Sequence, residues 1–543
     1  MALFNTGNEM QRLLIIAFTM IGITAFAQQE QTIDLPGGRA AEWGKWEKWG
    51  AQIDGTYYNP VLPADFSDLD CIRVGDDYYA ITSTFQYSPG MAVLHSNDLV
   101  NWNITAHAVE DIRQISPEMN GDRMNRYGRG IWAGSIRYYK GKFYVLFGTP
   151  DEGFFTTQAE NPAGKWSPLI NILPEAGWDD CSAIWDDDGK AYFIGTLFKD
   201  RLYETYIFDM APDCSSIDFD SKKLVNKGDG REASKLIKVG QWYYLIYSRT
   251  GSGSRYVVAK RAESMQGPWS GEKQLTALNI ESNQPNQGGI IEGPDGKWYF
   301  FTHHGKSDWE GRAASLLPLT WIDGWPVPGK AGEDGLGYMV WSGKMPEQGG
   351  SKQEIYRDDF NSASLHANWE WNHYPRDDRW SLSERKGWLR LKAVKPLRDT
   401  DFQKIPNVLT QRIYRTNHSE VTVKIDTRQM EEGQTAGLCH YARRYAYIGI
   451  ARMDGFTKIV FDENGEFKTK EITNAGDIWF RSVWSLDGLN RFSYSTNGKN
   501  FYDFGNPYPF TWGNYRGTRV GLFTFNREEK GFVDIDYFEY RMK

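Results

Sequence analysis

Residues 68–83, D-L-D-C-I-R-V-G-D-D-Y-Y-A-I-T-S, read as a β-hairpin. A short alternating apolar run meets a turn at Gly75, and a second run rich in Tyr, Ile and Thr follows. The same device returns along the chain. A turn glycine followed by aromatic and aliphatic residues stands at Gly141 (G-K-F-Y-V-L-F), Gly189 (G-K-A-Y-F-I-G), Gly240 (G-Q-W-Y-Y-L-I-Y) and Gly296 (G-K-W-Y-F-F-T). Five copies at steps of roughly 50–65 residues are what a β-propeller of four-stranded blades writes into a sequence. Trp102, Trp166 and Trp269 each follow their turn glycine at a similar remove, so these copies share outer-strand punctuation as well. The predicted fold is therefore all-β, with a five-bladed β-propeller over residues 51–345.

Just upstream of each turn glycine, where the innermost strand of a blade begins, stand Asp68, Ser135, Asp180, Glu232 and Gln287. If the copies are blades, these positions are equivalent and face the central axis. Three carboxyl groups then converge on one mouth, the minimum for two-carboxylate hydrolysis with a third acid tuning it. An aspartate before a strand is ordinarily a turn or cap residue, a reading that suits any one of the three better than all of them together. Asp70 rivals Asp68, because strand alternation points it the same way one step deeper. Asp179 rivals Asp180, and the distance to the turn glycine selects Asp180.

The chain has 543 residues, enough for two or three domains. Its 62 basic and 70 acidic residues give a net charge of −8 without a basic patch, which argues against a nucleic-acid partner. Aromatics make up 15% of the chain, including 22 Trp and 30 Tyr. That suits a carbohydrate ligand, although strand-rich proteins carry aromatics in any case. After Arg12 the run L-L-I-I-A-F-T-M-I-G-I-T-A-F-A ends in a small-x-small pattern at Ala25-Phe26-Ala27. Residues 1–27 are read as a secretory signal peptide, with Met10 an alternative start, so a periplasmic or secreted protein is expected. No later segment is apolar enough to span a membrane. The four cysteines Cys71, Cys181, Cys214 and Cys439 are too few and too scattered for a disulfide framework.

Residues 28–50 form a polar lead-in arm, and residues 346–353, P-E-Q-G-G-S-K-Q, a linker. Residues 354–543 then alternate through strands such as E-V-T-V-K-I (420–425) and Y-A-Y-I-G-I (445–450). A two-sheet β-sandwich (jelly roll) is expected there. It marks no ligand site, and its expected task is to brace the first domain.

The stretch N-P-V-L-P-A-D-F-S-D-L-D-C-I-R-V-G-D-D-Y-Y, then S-T-F, Pro89-Gly90 and H-S-N-D-L-V-N-W, resembles the opening of glycoside hydrolase family 43. That family holds β-xylosidases and α-L-arabinofuranosidases on a five-bladed propeller. The resemblance continues through G-I-W-A-G-S-I-R-Y, W-D-D-C-S-A-I-W-D-D-D-G-K-A-Y, R-E-A-S-K-L-I-K and G-R-A-A-S-L-L-P-L-T-W-I-D-G-W-P, and the tail is similar to the concanavalin-like sandwich of many members. It implies an inverting hydrolase that releases xylose or L-arabinofuranose from plant cell-wall saccharides. In that reading Asp68 is the general base, Glu232 the general acid, and Asp180 the acid that raises and orients Glu232. Inversion needs two opposed carboxyl groups about 6.5–9.5 Å apart, and a propeller mouth offers that gap. The resemblance also implies Phe85 and Trp132 as aromatic walls around the sugar and Arg312 as its hydrogen-bond donor. One of His303 and His304 lies on the axis, with His303 preferred. No cofactor or catalytic metal is expected, although a structural calcium ion on the propeller axis is compatible with the family.

Three departures put the identity of the sugar in question more than the activity. Asp68-Leu69 replaces Asp-Pro, Trp132-Ala133-Gly134 replaces Trp-Ala-Pro, and Glu232-Ala233-Ser234-Lys235 replaces Glu-Gly-Pro-His. Two alternatives compete. A retaining fructan-type hydrolase would also join a propeller to a sandwich, but its N-D-P-N-G, R-D-P and E-C signatures are missing. A non-catalytic glycan-binding propeller would not require desolvated carboxyl groups at its mouth.

Overall fold

The computed structural model describes residues 46–543 except 200–201, 252–253, 278–286, 294–295, 306–307, 348, 400, 474–475 and 514. The expected signal peptide and most of the lead-in arm lie outside the described residues.

Five antiparallel four-stranded sheets follow one another from Asp70 to Pro328. Their first strands are Asp70–Val74, Gly134–Tyr139, Trp178–Trp185, Arg231–Val239 and Gly288–Glu292. The first strands of blades 1 and 2, 2 and 3, 3 and 4, and 5 and 1 pack side by side about the ring's centre. All five turn glycines of the repeat have positive φ, from 58° at Gly240 to 83° at Gly189. Glycine enters that region without steric cost, so it marks the tight turn between a blade's first and second strands. The three repeated tryptophans lie between the third and fourth strands of blades 1, 2 and 4. Trp102 and Trp166 cap that turn by donating Nε1–H to the carbonyls of Leu99 and Pro162.

Strand alternation sends successive residues to opposite faces of each blade. Val93 packs with Val145 and Phe147 of blade 2, whereas its neighbour Leu94 packs with Phe301 and Leu316 of blade 5. Blade 3 repeats this: Phe193 meets Phe154 of blade 2, and Ile194 meets Leu245 and Val258 of blade 4. Each blade is thus apolar on both faces, which is why its middle strands read as continuous hydrophobic runs.

The sandwich runs from Ile355–Asp358 to Phe532–Met542 in two large antiparallel sheets. One of them does not end within the sandwich. Its edge strand Glu370–Asn372 pairs with Tyr87–Ser88, a piece of blade 1, with Trp371 opposite Ser88 and Asn372 opposite Tyr87. Beside this seam Glu370 is completely buried, with Arg412 at 2.8 Å, Arg519 at 2.7 Å and His107 at 3.1 Å. Burial alone would push its carboxyl up, but the guanidinium groups of Arg412 and Arg519 hold it well below the usual range. Arg516 continues the network to Asp65 at 3.0 Å. Replacing Glu370 by glutamine strands buried guanidinium charge, so unfolding stability is expected to fall by about 3–5 kcal/mol. A lower urea midpoint with unchanged m-value would show it.

Candidate active site

The acids reach the axis through irregular backbone. Strand pairing in blade 3 slips between Asp179 and Ser182, and in blade 4 between Glu232 and Lys235. Each slip is a bulge, and each contains a non-glycine residue in the left-handed region: Asp180 at φ 52° and Ala233 at φ 64°. Asp68 (φ 58°) and Phe85 (φ 56°) share that conformation on blade 1. Such backbone is costly and persists where surrounding structure holds it, often at functional sites. Here the bulges turn side chains out of the ladder and into the axial pit.

The pit encloses about 490 Å³ and is lined by Asp68, Asp180, Glu232, Gln287, Phe85, Trp132 and Arg312, among others. It therefore gathers the three acids and most of the sequence-predicted site. His303 stands just behind the wall. Its Nδ1 accepts the backbone N–H of Asp68 at 2.6 Å, and burial followed by the Arg312 charge pulls its imidazole well down. A neutral ring with Nδ1 as acceptor places its proton on Nε2, so His303 fixes the backbone of Asp68. His304 turns away, towards Ser315. Ser135, expected at the mouth, is fully buried, and Ala133 and Trp132 take the blade 2 position instead. Ser135 stands six residues before Gly141, whereas Asp68, Glu232 and Asp180 stand seven, eight and nine before theirs, so Ser135 falls too deep in the sheet.

Both oxygens of Asp68 are held. Arg312 Nη1 reaches Oδ1 at 2.6 Å, and the Ser83 hydroxyl donates to Oδ2 at 2.8 Å. Asp70, its rival, lies deeper, pairs with Arg137 at 2.6 Å and accepts the Ile136 N–H at 3.0 Å, which makes it a structural residue. Asp180 accepts the Ala233 N–H at 2.8 Å. Burial pushes Asp180 up to about 7; the Ala233 bond opposes this and the Glu232 charge adds to it. Glu232 pairs with Arg255 at 2.7 Å.

Arg129, Tyr203, Arg255 and Tyr515 also line the pit, and no motif in the sequence marks them. Tyr515 belongs to the sandwich, and its ring stacks on Phe85 at 6.5 Å and 13° and meets Trp132 edge-on at 5.8 Å. The next residue, Arg516, lies 4.8 Å from the Phe85 ring on its way to Asp65. No signal within either segment could have joined them, since the contact spans most of the chain.

Beneath the acids, buried Lys235 donates Nζ–H to the carbonyls of Gly134 and, at 3.2 Å, Cys181. Calcium sites are built from six to eight oxygen ligands. With an ammonium and a neutral imidazole around it, the axis does not offer that donor set. Among the described residues, no group of three or more His, Cys, Asp or Glu side chains is placed to hold a metal ion.

Residues 57–326 match the family described as glycosyl hydrolases family 43, and residues 357–541 match the beta xylosidase C-terminal concanavalin A-like domain. A beta-xylosidase of Formosa agariphila is 34% identical over 91% of each chain. The chain belongs to glycoside hydrolase family 43. A non-reducing end α-L-arabinofuranosidase of Bacteroides ovatus is a further relative, 31% identical over 62% of this chain and 65% of that one. Among solved structures, a family 43 protein of Bacillus licheniformis superposes with a TM-score of 0.76 at 26% identity, over 90% of this chain and all of that one. A bifunctional family 43 protein of Bacteroides eggerthii gives 0.78 at 29% identity, over 91% of this chain and 64% of the longer one. Membership in family 43 makes the chain an O-glycosyl hydrolase, and the propeller-plus-sandwich expectation holds.

Proposed function

We propose that this family 43 enzyme releases single pentose units, xylose or L-arabinofuranose, from the ends of plant cell-wall saccharides, with inversion at the anomeric carbon. The carrying observation is the convergence of Asp68, Asp180 and Glu232 in one walled pit. Asp68, with its charge fixed by Arg312 and Ser83, is the base that takes a proton from water. Glu232, from the other side of the axis, gives a proton to the leaving oxygen. Arg255, 2.7 Å away, holds Glu232 in place. Asp180, anchored by Ala233, sets the field around Glu232. Phe85, Trp132 and Tyr515 shape the sugar's berth, and Arg312 reaches its hydroxyls.

Relatives named for xylosidase and for arabinofuranosidase activity support a pentose. Closure by the sandwich on one side supports attack at chain ends. The apolar stretch before Ala27 supports export. The test is a panel of 4-nitrophenyl glycosides, with proton NMR of the first product formed. Fast release of a pentose with inverted configuration is expected; retention would sink the mechanism.

Tyr515→Ala tests the berth. Loss of the ring opens one wall without touching an acid, so KM is expected to rise about tenfold while kcat stays within about threefold. Steady-state kinetics on the preferred pentoside reads both.

A further inference from the structure

Asp179 plays no part in the mechanism above, yet it lines the same pit and is 93% removed from solvent, with 7% of its surface exposed. Four other buried carboxylates in the chain have cations: Asp70 has Arg137, Asp65 has Arg516, Glu310 has Arg415 and Glu370 has Arg412. Among the described residues no lysine or arginine makes an ion pair with Asp179; the Asp180 backbone N–H and the charge of Lys235 act on its carboxyl, and its Oδ1 has no hydrogen-bond partner. The fold nevertheless makes room for it. A Cβ on Gly148 of blade 2 would lie 2.6 Å from Oδ1 and 3.0 Å from the Asp179 Cα. A polar group left unsatisfied in a buried wall calls for a functional account.

We propose that Asp179 is a sugar-binding residue of the pit, its carboxyl forming a hydrogen bond with one hydroxyl of the bound pentose. The inference rests on the pentosidase reading above. Burial, and then the charge of Asp180, push the Asp179 carboxyl well up. It is therefore the acid form that faces the sugar, and it donates its O–H to a hydroxyl oxygen. A neutral donor is what this place requires, because a further negative charge beside Asp180 and Asp68 would oppose ionisation of the base. Asp179 thereby selects for a hydroxyl at one ring position, a property of specificity and not of the bond-breaking step.

The test crosses Asp179→Asn and Asp179→Leu with the 4-nitrophenyl pentoside that the wild type prefers and each of its monodeoxy analogues. Asparagine keeps a neutral donor of similar size, so its kcat/KM should stay within about threefold of wild type. Leucine should cost about 10–100-fold on the parent glycoside. On one deoxy analogue, the one lacking the contacted hydroxyl, leucine should cost nothing further. Equal losses on the parent and on every analogue would make Asp179 a merely structural residue and overturn the proposal, as would unchanged kinetics in Asp179→Leu. Wild-type inactivity on all pentosides would instead overturn the reading on which the proposal rests, and the proposal with it.

Discussion

Asp68→Asn is expected to lower kcat by about 10³–10⁴-fold on every substrate, because water then has no base to take its proton. The amide preserves shape and the Ser83 contact, so the fold should persist and KM should change little. Glu232→Gln should behave differently. Its loss should follow the leaving group, large on xylobiose or an arabinoxylan fragment and much smaller on a 2,4-dinitrophenyl glycoside, whose leaving oxygen departs without a proton. This contrast separates base from acid where a simple loss of activity would not. If Asp68→Asn showed the leaving-group dependence and Glu232→Gln did not, the two roles would be exchanged. If both kept wild-type rates, the assignment of the pit would fall.

The second large effect concerns stability. Asp180 has a folded-state carboxyl raised to about 7, against an ordinary value of 3.8. A group raised in the folded state binds more protons there than in the unfolded chain between those values, so folding weakens as pH rises from about 4 to 7. Asp180→Asn removes the titrating group and keeps an acceptor for the Ala233 N–H. The variant should lose activity by about 10²–10³-fold and yet melt higher than wild type at pH 8, by about 2–5 °C. Near pH 4 most of the difference should be gone, since wild-type Asp180 is then protonated in the folded state and partly protonated in the unfolded chain. Melting curves at pH 4, 6 and 8 measure it. A variant less stable than wild type at pH 8 would mean that the ionised carboxyl is welcome in the pit, contrary to its burial.

Much of the ring was legible because a propeller repeats itself. Gly75, Gly141, Gly189, Gly240 and Gly296 are forced by a local requirement, positive φ at a tight turn, and local requirements leave marks in sequence. Asp68, Asp180 and Glu232 could be read off because they stand seven to nine residues before those glycines. The bulges at 179–182 and 232–235 left no such mark, although they aim the acids. A slip in pairing depends on the partner strand, and nothing in W-D-D-C-S or R-E-A-S-K announces it. Ser135 shows the cost, since one equivalent position missed the pit by a residue or two. Tyr515 and Arg255 were invisible for a different reason. Tyr515 meets Phe85 across a gap that only the finished fold closes, and long-range contacts carry no periodicity.

The strand exchanged at Tyr87–Ser88 bears on how such an enzyme changes over generations. Phe85 belongs to the ring, but the ribbon that carries it is stitched into the other half of the molecule two residues later. Removing the tail would therefore leave a raw sheet margin and a slack aromatic wall at once, and would not yield a smaller working hydrolase. By the same coupling, drift in the tail's loops is a route to new sugar preferences that leaves the acids untouched.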